Sequence, residues 1–363
     1  MVRMDKDLKN KTQPEIRQIV EHLGAKGFLA GYLFQFIHGR FVTDIRSVSP
    51  LPKAFRERLI EEGYHISDLE VIDRLHDPDG TTKYLFRTPE GHPVESVLLR
   101  DAERLTLCIS SQSGCRMGCA FCATGGMGFQ SNLTAARIVD QVNRVARDGL
   151  DVHNVVYMGM GEPLDNLDEV LRSIAILKDK AGRNLGQRRI TVSTCGLADG
   201  MARLAEAEPQ VRLAVSLHAP DDKVRSALMP VNKRHGVVEV LDAVRAYQAA
   251  TGRRVTFEYC LLQGINDHVT QARTLTVRLK GIKANVNLIE FNPFPGCDFK
   301  ASDRPALERF AKHLQDHGIE TVIRYKRGAQ IRAACGQLGA DFCKKPGDGS
   351  QETGDGFEGI EPC

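Results

Sequence analysis

The 363-residue sequence predicts an α/β protein, a partial (β/α) barrel with a helical accessory unit in front and a small antiparallel β extension between the two. Three observations carry that reading. From Leu105 to Arg327, strand-like runs alternate with amphipathic helical ones, which means a parallel sheet covered by helices. Ahead of this, residues 14–59 show helical periodicity and residues 67–100 show short strand-like runs between turn signals. Finally, a cysteine-rich loop and several polar or Gly-rich motifs each follow a strand of the alternating region, and in such a barrel the chemistry collects at the carboxyl ends of the strands.

Residues 14–24 begin with Pro14, end with Gly24 and set Ile16, Ile19, Val20 and Leu23 on one stripe, so they form a first helix. Tyr32–Arg40 and Leu51–Leu59 read as two more, with their aromatic residues packed inward. Leu69–Arg74, Thr82–Arg87 and Val94–Leu99 read as strands of a small antiparallel sheet, turning at Asp77-Pro-Asp-Gly80 and Pro89-Glu-Gly91; Glu95 is by position an edge carboxylate. The predicted core strands are Leu105–Ile109, Asn154–Gly159, Arg189–Ser193, Arg212–Leu217, Arg254–Leu261, Asn285–Phe291 and Glu320–Tyr325. Helices at Ala135–Arg147, Leu167–Lys178, Val237–Ala250 and Arg304–His317 fall between them. The chain thus divides into an accessory unit (1–66), a β extension (67–100), a core (101–340) and an acidic, Gly-rich tail (341–363) expected to be disordered.

Composition excludes more than it selects. Ten cysteines in a chain of this length fall far below the density of a small secreted disulfide scaffold, and the charged start Met1–Lys6 has no apolar signal stretch. A cytoplasmic protein with reduced thiols is expected, and no apolar run is long enough to span a bilayer. The net charge is +3, but the tail from Gly347 holds five acidic residues and no basic one, which leaves +8 on the rest. That balance is compatible with a phosphate-bearing substrate without selecting one.

The sharpest signal is Cys115-Arg-Met-Gly-Cys119-Ala-Phe-Cys122, running on into Ala123-Thr-Gly-Gly-Met-Gly128. Three thiols at spacings of four and three can converge on one inorganic centre. They are one short of a closed site, because structural zinc takes four protein ligands and a four-iron cluster held by cysteine takes four thiolates. The loop therefore reads as a cubane cluster with one iron left open for a substrate. Two other readings stand beside it: three packed thiols, which give no reason for the spacing, and a zinc site completed by a distant residue, although no second C-x2-C pair occurs.

Met158-Gly-Met-Gly-Glu-Pro163 follows the second core strand, where its glycines let backbone approach a ligand; a plain tight turn is the alternative. Ser193-Thr-Cys-Gly196, Ser216-Leu-His218 and Phe291-Asn-Pro-Phe-Pro-Gly296 repeat that placement, although a lone Ser or Asn at a strand end is often only a cap. Near the end of the core, Cys335 follows a basic loop with Arg324, Lys326, Arg327 and Arg332, so it reads either as an activated thiol or as a small buried one.

These motifs together resemble the RlmN/Cfr family of radical S-adenosylmethionine RNA adenosine methyltransferases. The resemblance rests on the Cys115/Cys119/Cys122 loop, Gly159-Met-Gly-Glu-Pro163, Ser216-Leu-His-Ala-Pro220, Asn292-Pro-Phe-Pro-Gly296 and Ala334-Cys-Gly-Gln-Leu338, and it covers nearly the whole chain before the tail. It implies a core of the radical SAM type and a 4Fe-4S cluster on Cys115, Cys119 and Cys122. It also implies S-adenosylmethionine contacts from Gly161, Glu162, Ser193, Ser216, Leu217, His218 and Asn292. Cys335 then matches the methyl-carrying cysteine, Cys108 the thiol that releases the product by forming a disulfide with Cys335, and Glu95 the proton acceptor.

The implied chemistry explains the parts. C2 of adenine is too electron-poor to attack a methyl sulfonium. Cys335 first takes a methyl by displacement from one S-adenosylmethionine, and a second yields the adenosyl radical that activates it, two per turnover. The implied substrates are 23S rRNA and tRNA, with an external electron donor, no membrane and a monomeric enzyme. Arg40, Lys53, Arg56 and Arg58 then offer an RNA-facing surface. The segments Phe34–His38 and Arg327–Ile331 resemble the branch that makes 2-methyladenosine; the alternative is the Cfr-like branch that methylates C8. From other classes come a non-catalytic zinc-containing RNA-binding module and a radical enzyme acting on a protein partner. Cys195 and Glu290 depart from the family's Ser-Thr-Ser-Gly and Ile-Pro-Phe-Asn and are expected near the cofactor.

Overall fold

The first elements are set by caps. In this computed structural model, which describes residues 5–342, the Thr12 N–H donates to Glu15 Oε2 at 2.7 Å and opens helix α1 (Gln13–His22). Gly24 closes it at φ +73°, and α1 buries Ile16 and Val20. Helices α2 (Leu29–His38) and α3 (Lys53–Glu61) bury Phe34, Phe36 and Phe55. Arg40, Lys53 and Arg58 are exposed, the Arg40 guanidinium lying 4.3 Å from the Phe36 ring centre.

The chain then forms strands β1 (Glu70–His76), β2 (Thr82–Arg87), β3 (Pro93–Asp101), β4 (Arg104–Cys108) and β5 (Gln112–Gly114), helix α4 (Ala123–Gly126) and strand β6 (Phe129–Asn132). Strands and helices alternate from there: α5 (Ala135–Arg147), β7 (Asn154–Tyr157), α6 (Leu167–Lys178), β8 (Ile190–Thr194), α7 (Ala198–Ala207), β9 (Arg212–Ser216), α8 (Asp222–Leu228) and α9 (Val237–Thr251). The series closes with β10 (Val255–Leu261), α10 (Val269–Arg278), β11 (Ala284–Glu290), α11 (Arg304–Asp316) and β12 (Glu320–Arg324).

One sheet of ten strands, in the order β1-β2-β3-β4-β7-β8-β9-β10-β11-β12, runs through the molecule. From β4 onward its neighbours are parallel, as β4–β7 and β10–β11 illustrate, and β1 and β12 lie at opposite ends, so the barrel is partial. The β extension differs from expectation in one respect: it is not a sheet of its own. β3 pairs antiparallel with β4, Val97 opposite Cys108, and carries the core sheet outward. Glu95 is consequently no edge carboxylate, since β3 lies between β2 and β4 and Glu95 pairs with Leu85.

Two short features frame the cysteine loop. β5 and β6 form a separate antiparallel pair, and the whole loop with α4 is the excursion between them. The segment after β12 crosses back over the opening: Ala123 N–H donates to Gly336 O at 2.8 Å, and Gly339 N–H donates to Glu95 Oε2 at 2.7 Å. Asp341 pairs with Lys83 at 3.2 Å and Phe342 is buried, so the packed chain runs past the expected boundary at 340. The predicted tail, Cys363 included, otherwise lies outside the described residues.

Candidate active site

At the carboxyl ends of the parallel strands lies a cavity of about 180 Å³. Cys115, Cys119 and Cys122 line it together with Cys335, Glu162 and Ser216. The cysteine loop is shaped by glycine: a Cβ on Gly125 would come within 2.9 Å of Cys119 N, so only a bare backbone lets α4 fold against the loop. The Cys122 thiol is approached by the backbone N–H groups of Thr124 and Gly125. Burial, then the charges of its two partners, pushes Cys119 well above a free thiol; burial likewise takes Cys115 to about 12. Such thiols bind a metal centre only as thiolates, so binding releases their protons. Among the described residues no three His, Cys, Asp or Glu side chains close round a single metal ion. The three thiols that line the cavity are one short of a closed zinc site and leave a position open, as a cluster with one free iron requires.

Beside the loop, Gly161 sits at φ +97°, and a Cβ there would lie 2.6 Å from Gln112 Cβ. Glycine is therefore required here for the turn to pack on Gln112, and Gly159 and Gly161 line the cavity. Glu162 faces inward with both oxygens held, Oε1 by Leu164 N–H at 3.1 Å and Oε2 by Cys195 N–H at 2.8 Å. Ser193 and Ser216 line the opposite wall. His218 is in the left-handed region at φ +55°, a strained conformation for a side chain with a Cβ. Its Nδ1 accepts from Cys260 N–H at 2.8 Å, its ring lies 4.6 Å from that of Phe121, and burial pushes its pKa down to about 3, so it is neutral. Leu217 is fully buried and does not line the cavity; its carbonyl accepts from Arg225. Asn292 donates to Cys335 O at 3.2 Å, and its Oδ1 is buried without a partner, an orphan acceptor that a ligand amine or hydroxyl can satisfy. The residues present thus fit both a thiolate-held cluster and a polar ligand beside it.

Cys335 opens into this cavity, with burial first and then the charge of Glu258 pushing its thiol up to about 11. Cys108 is half-buried behind the cavity wall and is a free thiol, as Cys335 is. Burial raises it, then the charge of Cys335, which places the two thiols within electrostatic reach of each other. Glu95 does not line the cavity. It is 1 % exposed, its Oε1 lies 3.0 Å from Lys83 Nζ, and its other oxygen takes the Gly339 N–H.

The Radical SAM superfamily profile matches residues 109–273. The dual-specificity RNA methyltransferase RlmN of Syntrophobacter fumaroxidans is 45 % identical over 92 % of this chain and 98 % of its own length. The probable counterpart from Thermus thermophilus is 43 % identical over 90 % of this chain and 93 % of its own. A crystal structure of a radical SAM methyltransferase from Sphaerobacter thermophilus superposes with a TM-score of 0.88 at 42 % identity, covering 93 % of this chain and all of that one. The chain belongs to the RlmN family of radical SAM RNA methyltransferases. It is an S-adenosylmethionine-dependent enzyme, and the family implies a 4Fe-4S cluster.

Two departures from the RlmN family pattern have separate fates. Cys195 lines the cavity and its N–H holds Glu162. Glu290 does not: β-strand alternation turns its neighbours Ile289 and Phe291 inward, and Glu290 pairs with Lys326 at 3.3 Å. Sequence reasoning missed two buried charges. Arg225 is fully buried and binds Leu217 O at 3.1 Å, Asn232 Oδ1 at 2.7 Å, His235 O at 3.0 Å and Cys195 O, so it ties the ends of β8 and β9 together. Nothing in a short amphipathic helix signals that. Glu258 lines the cavity from β10, and its signal was available: a carboxylate inside the apolar run Val255–Leu261.

Proposed function

We propose that this enzyme methylates C2 of adenosine in 23S rRNA and in tRNA, with Cys335 as methyl carrier and Cys108 as the thiol that frees the product. The observation that carries the reading is that Cys335 opens into the same cavity as the three cysteines of the loop. The names of the relatives, dual-specificity RNA methyltransferases, support RNA as the substrate, and the choice of C2 rests on the sequence resemblance.

In this reading Cys115, Cys119 and Cys122 hold the cluster, which with bound S-adenosylmethionine supplies one-electron chemistry. Glu162, Ser193, Ser216 and His218, which line the cavity, orient the cofactor, and Asn292 offers its unpartnered Oδ1 from beside Cys335. Cys335 accepts a methyl group, one S-adenosylmethionine being spent on this loading and a second on activation. Cys108, within electrostatic reach of Cys335, closes the cycle by a disulfide that an external donor must reduce. Glu95 takes the proton released from the base; Lys83 keeps it anionic, and the 335–339 segment that caps it carries the methyl-bearing thiol.

Anaerobic reconstitution of wild type and Cys119→Ala tests the first part: about four irons and reductive cleavage of S-adenosylmethionine are expected only from wild type. Mass spectrometry of digested 23S rRNA and tRNA against 2-methyladenosine and 8-methyladenosine standards tests the second. A C8 product, or no product on RNA, overturns it.

A further inference from the structure

The cavity holds one carboxylate that the proposed methyl transfer leaves without a role. Glu258 pairs in register with Ser216 on β9 and Asn287 on β11. With Cys260 it lines the cavity, while Tyr259 between them turns to the helix side and meets Phe310 at 5.1 Å. Its Oε1 accepts from the neutral Asn287 amide at 2.9 Å, and among the described residues it forms no ion pair. Burial raises the other two carboxylates of the region as well, but their oxygens are already engaged: Glu95 by Lys83 and Gly339 N–H, Glu162 by two backbone N–H groups. Glu258 alone is buried in the cavity with one neutral donor, the condition in which a carboxyl exchanges a proton most readily near neutral pH.

Methyl loading of Cys335 creates a need for that exchange. The thiol must lose its proton as sulfur attacks; Cys335 as a residue is exposed, yet desolvation of its sulfur where it faces the cavity, then the Glu258 charge, push the thiol up to about 11. Of the alternatives lining the cavity, His218 has its Nδ1 occupied by Cys260 N–H, Glu162 has both oxygens held, and the three loop thiols are committed to the cluster. Burial brings Glu258 to about 7, against the pull of Asn287 and Arg324.

We propose that Glu258 is the proton acceptor for Cys335 while that residue takes its methyl group. The step balances without redox change: the S–H bond of Cys335 breaks and its proton passes to the Glu258 carboxylate, a new sulfur–methyl bond forms as the methyl–sulfonium bond of S-adenosylmethionine breaks, and that bond's electron pair leaves with S-adenosylhomocysteine, whose sulfur becomes a neutral thioether. The inference rests on the methyl-carrier reading of Cys335. The groups facing Glu258 and the thiol are Asn287 from β11, Arg324 from β12, Ser216 and His218 at the end of β9, Cys260 from β10, Cys108 from β4 and Cys122 from the loop.

The test follows methyl loading on reconstituted enzyme, given S-adenosylmethionine without reductant, by the mass of the peptide that contains Cys335. Glu258→Gln should load on the order of 10²-fold more slowly with unchanged S-adenosylmethionine affinity in equilibrium dialysis, and Glu258→Asp should recover part of the rate. The wild-type rate should rise through about pH 7 and the Gln variant should lack that limb. Iodoacetamide titration of Cys335 without S-adenosylmethionine gives a second readout: in Glu258→Gln the thiol should ionise at lower pH, because a negative neighbour is gone. Wild-type loading in the Gln variant, or an affinity loss that accounts for the slower rate, overturns the proposal. If wild type itself puts no methyl on Cys335, the carrier reading fails first, and that outcome is read without any Glu258 variant.

Discussion

Lys83 Nζ lies 3.0 Å from Glu95 Oε1, and both side chains are at most 2 % exposed. A buried pair of this kind contributes little compared with an apolar substitute, but removing one partner strands the other. Here the pair also joins Asp341, at 3.2 Å from Lys83, and the Gly339 N–H, so it fastens the Cys335 segment to the β extension. Lys83→Met should therefore destabilise the enzyme by about 3–5 kcal/mol in denaturant titration. The double variant Lys83→Met/Glu95→Gln should cost clearly less, which separates a stranded carboxylate from lost packing.

Arg225 is a cation that binds four acceptors without a carboxylate among them. Lysine offers a point charge and no planar fork, so Arg225→Lys should lose on the order of 3 kcal/mol. Because the lost bonds hold Cys195 O and Leu217 O, S-adenosylmethionine affinity should fall as well, while reconstituted iron content stays at the wild-type level.

Gly161→Ala places a methyl 2.6 Å from Gln112 Cβ at φ +97°. The strain is worth about 1–3 kcal/mol. Calorimetry should show weakened S-adenosylmethionine binding, with iron content again unchanged.

His38 should make the protein acid-sensitive. It is fully buried, both ring nitrogens lack partners, and burial, then Lys9, pushes its pKa from 6.5 down to about 3. Unfolding between those values takes up a proton, so stability falls as pH is lowered from about 6.5, by up to about 1.4 kcal/mol per pH unit from this group. His38→Phe should flatten that slope in denaturation measured from pH 7 to pH 5. An unchanged slope would assign the acid sensitivity to other groups.

The alternating core was legible because each element declares its own period. Helices α5 and α6 have the bounds that their apolar stripes predict, and the parallel strands differ from expectation by one or two residues at their ends. At both ends the chain enters or leaves the ladder within a residue or two, and local pattern carries no mark of where the pairing stops. The two-stranded pair β5–β6 was not legible at all, since strands of three and four residues are too short to show alternation.

What the sequence determined by itself is chemistry carried by spacing: three thiols in one loop, the glycines that bare the backbone at Gly161, and Cys335 among small residues. Each depends on neighbours in the chain. What only the tertiary structure decided is which distant groups share a low-dielectric space. Glu95 was expected as an edge carboxylate and is instead paired with Lys83 inside the sheet; Glu290 turns away from the cavity where Cys195 turns toward it; Glu258 and Cys335 share one cavity across dozens of residues of chain. A carboxylate's charge state follows from desolvation and from the donors that reach it, and these are set by packing between elements rather than by the residues beside it in the sequence.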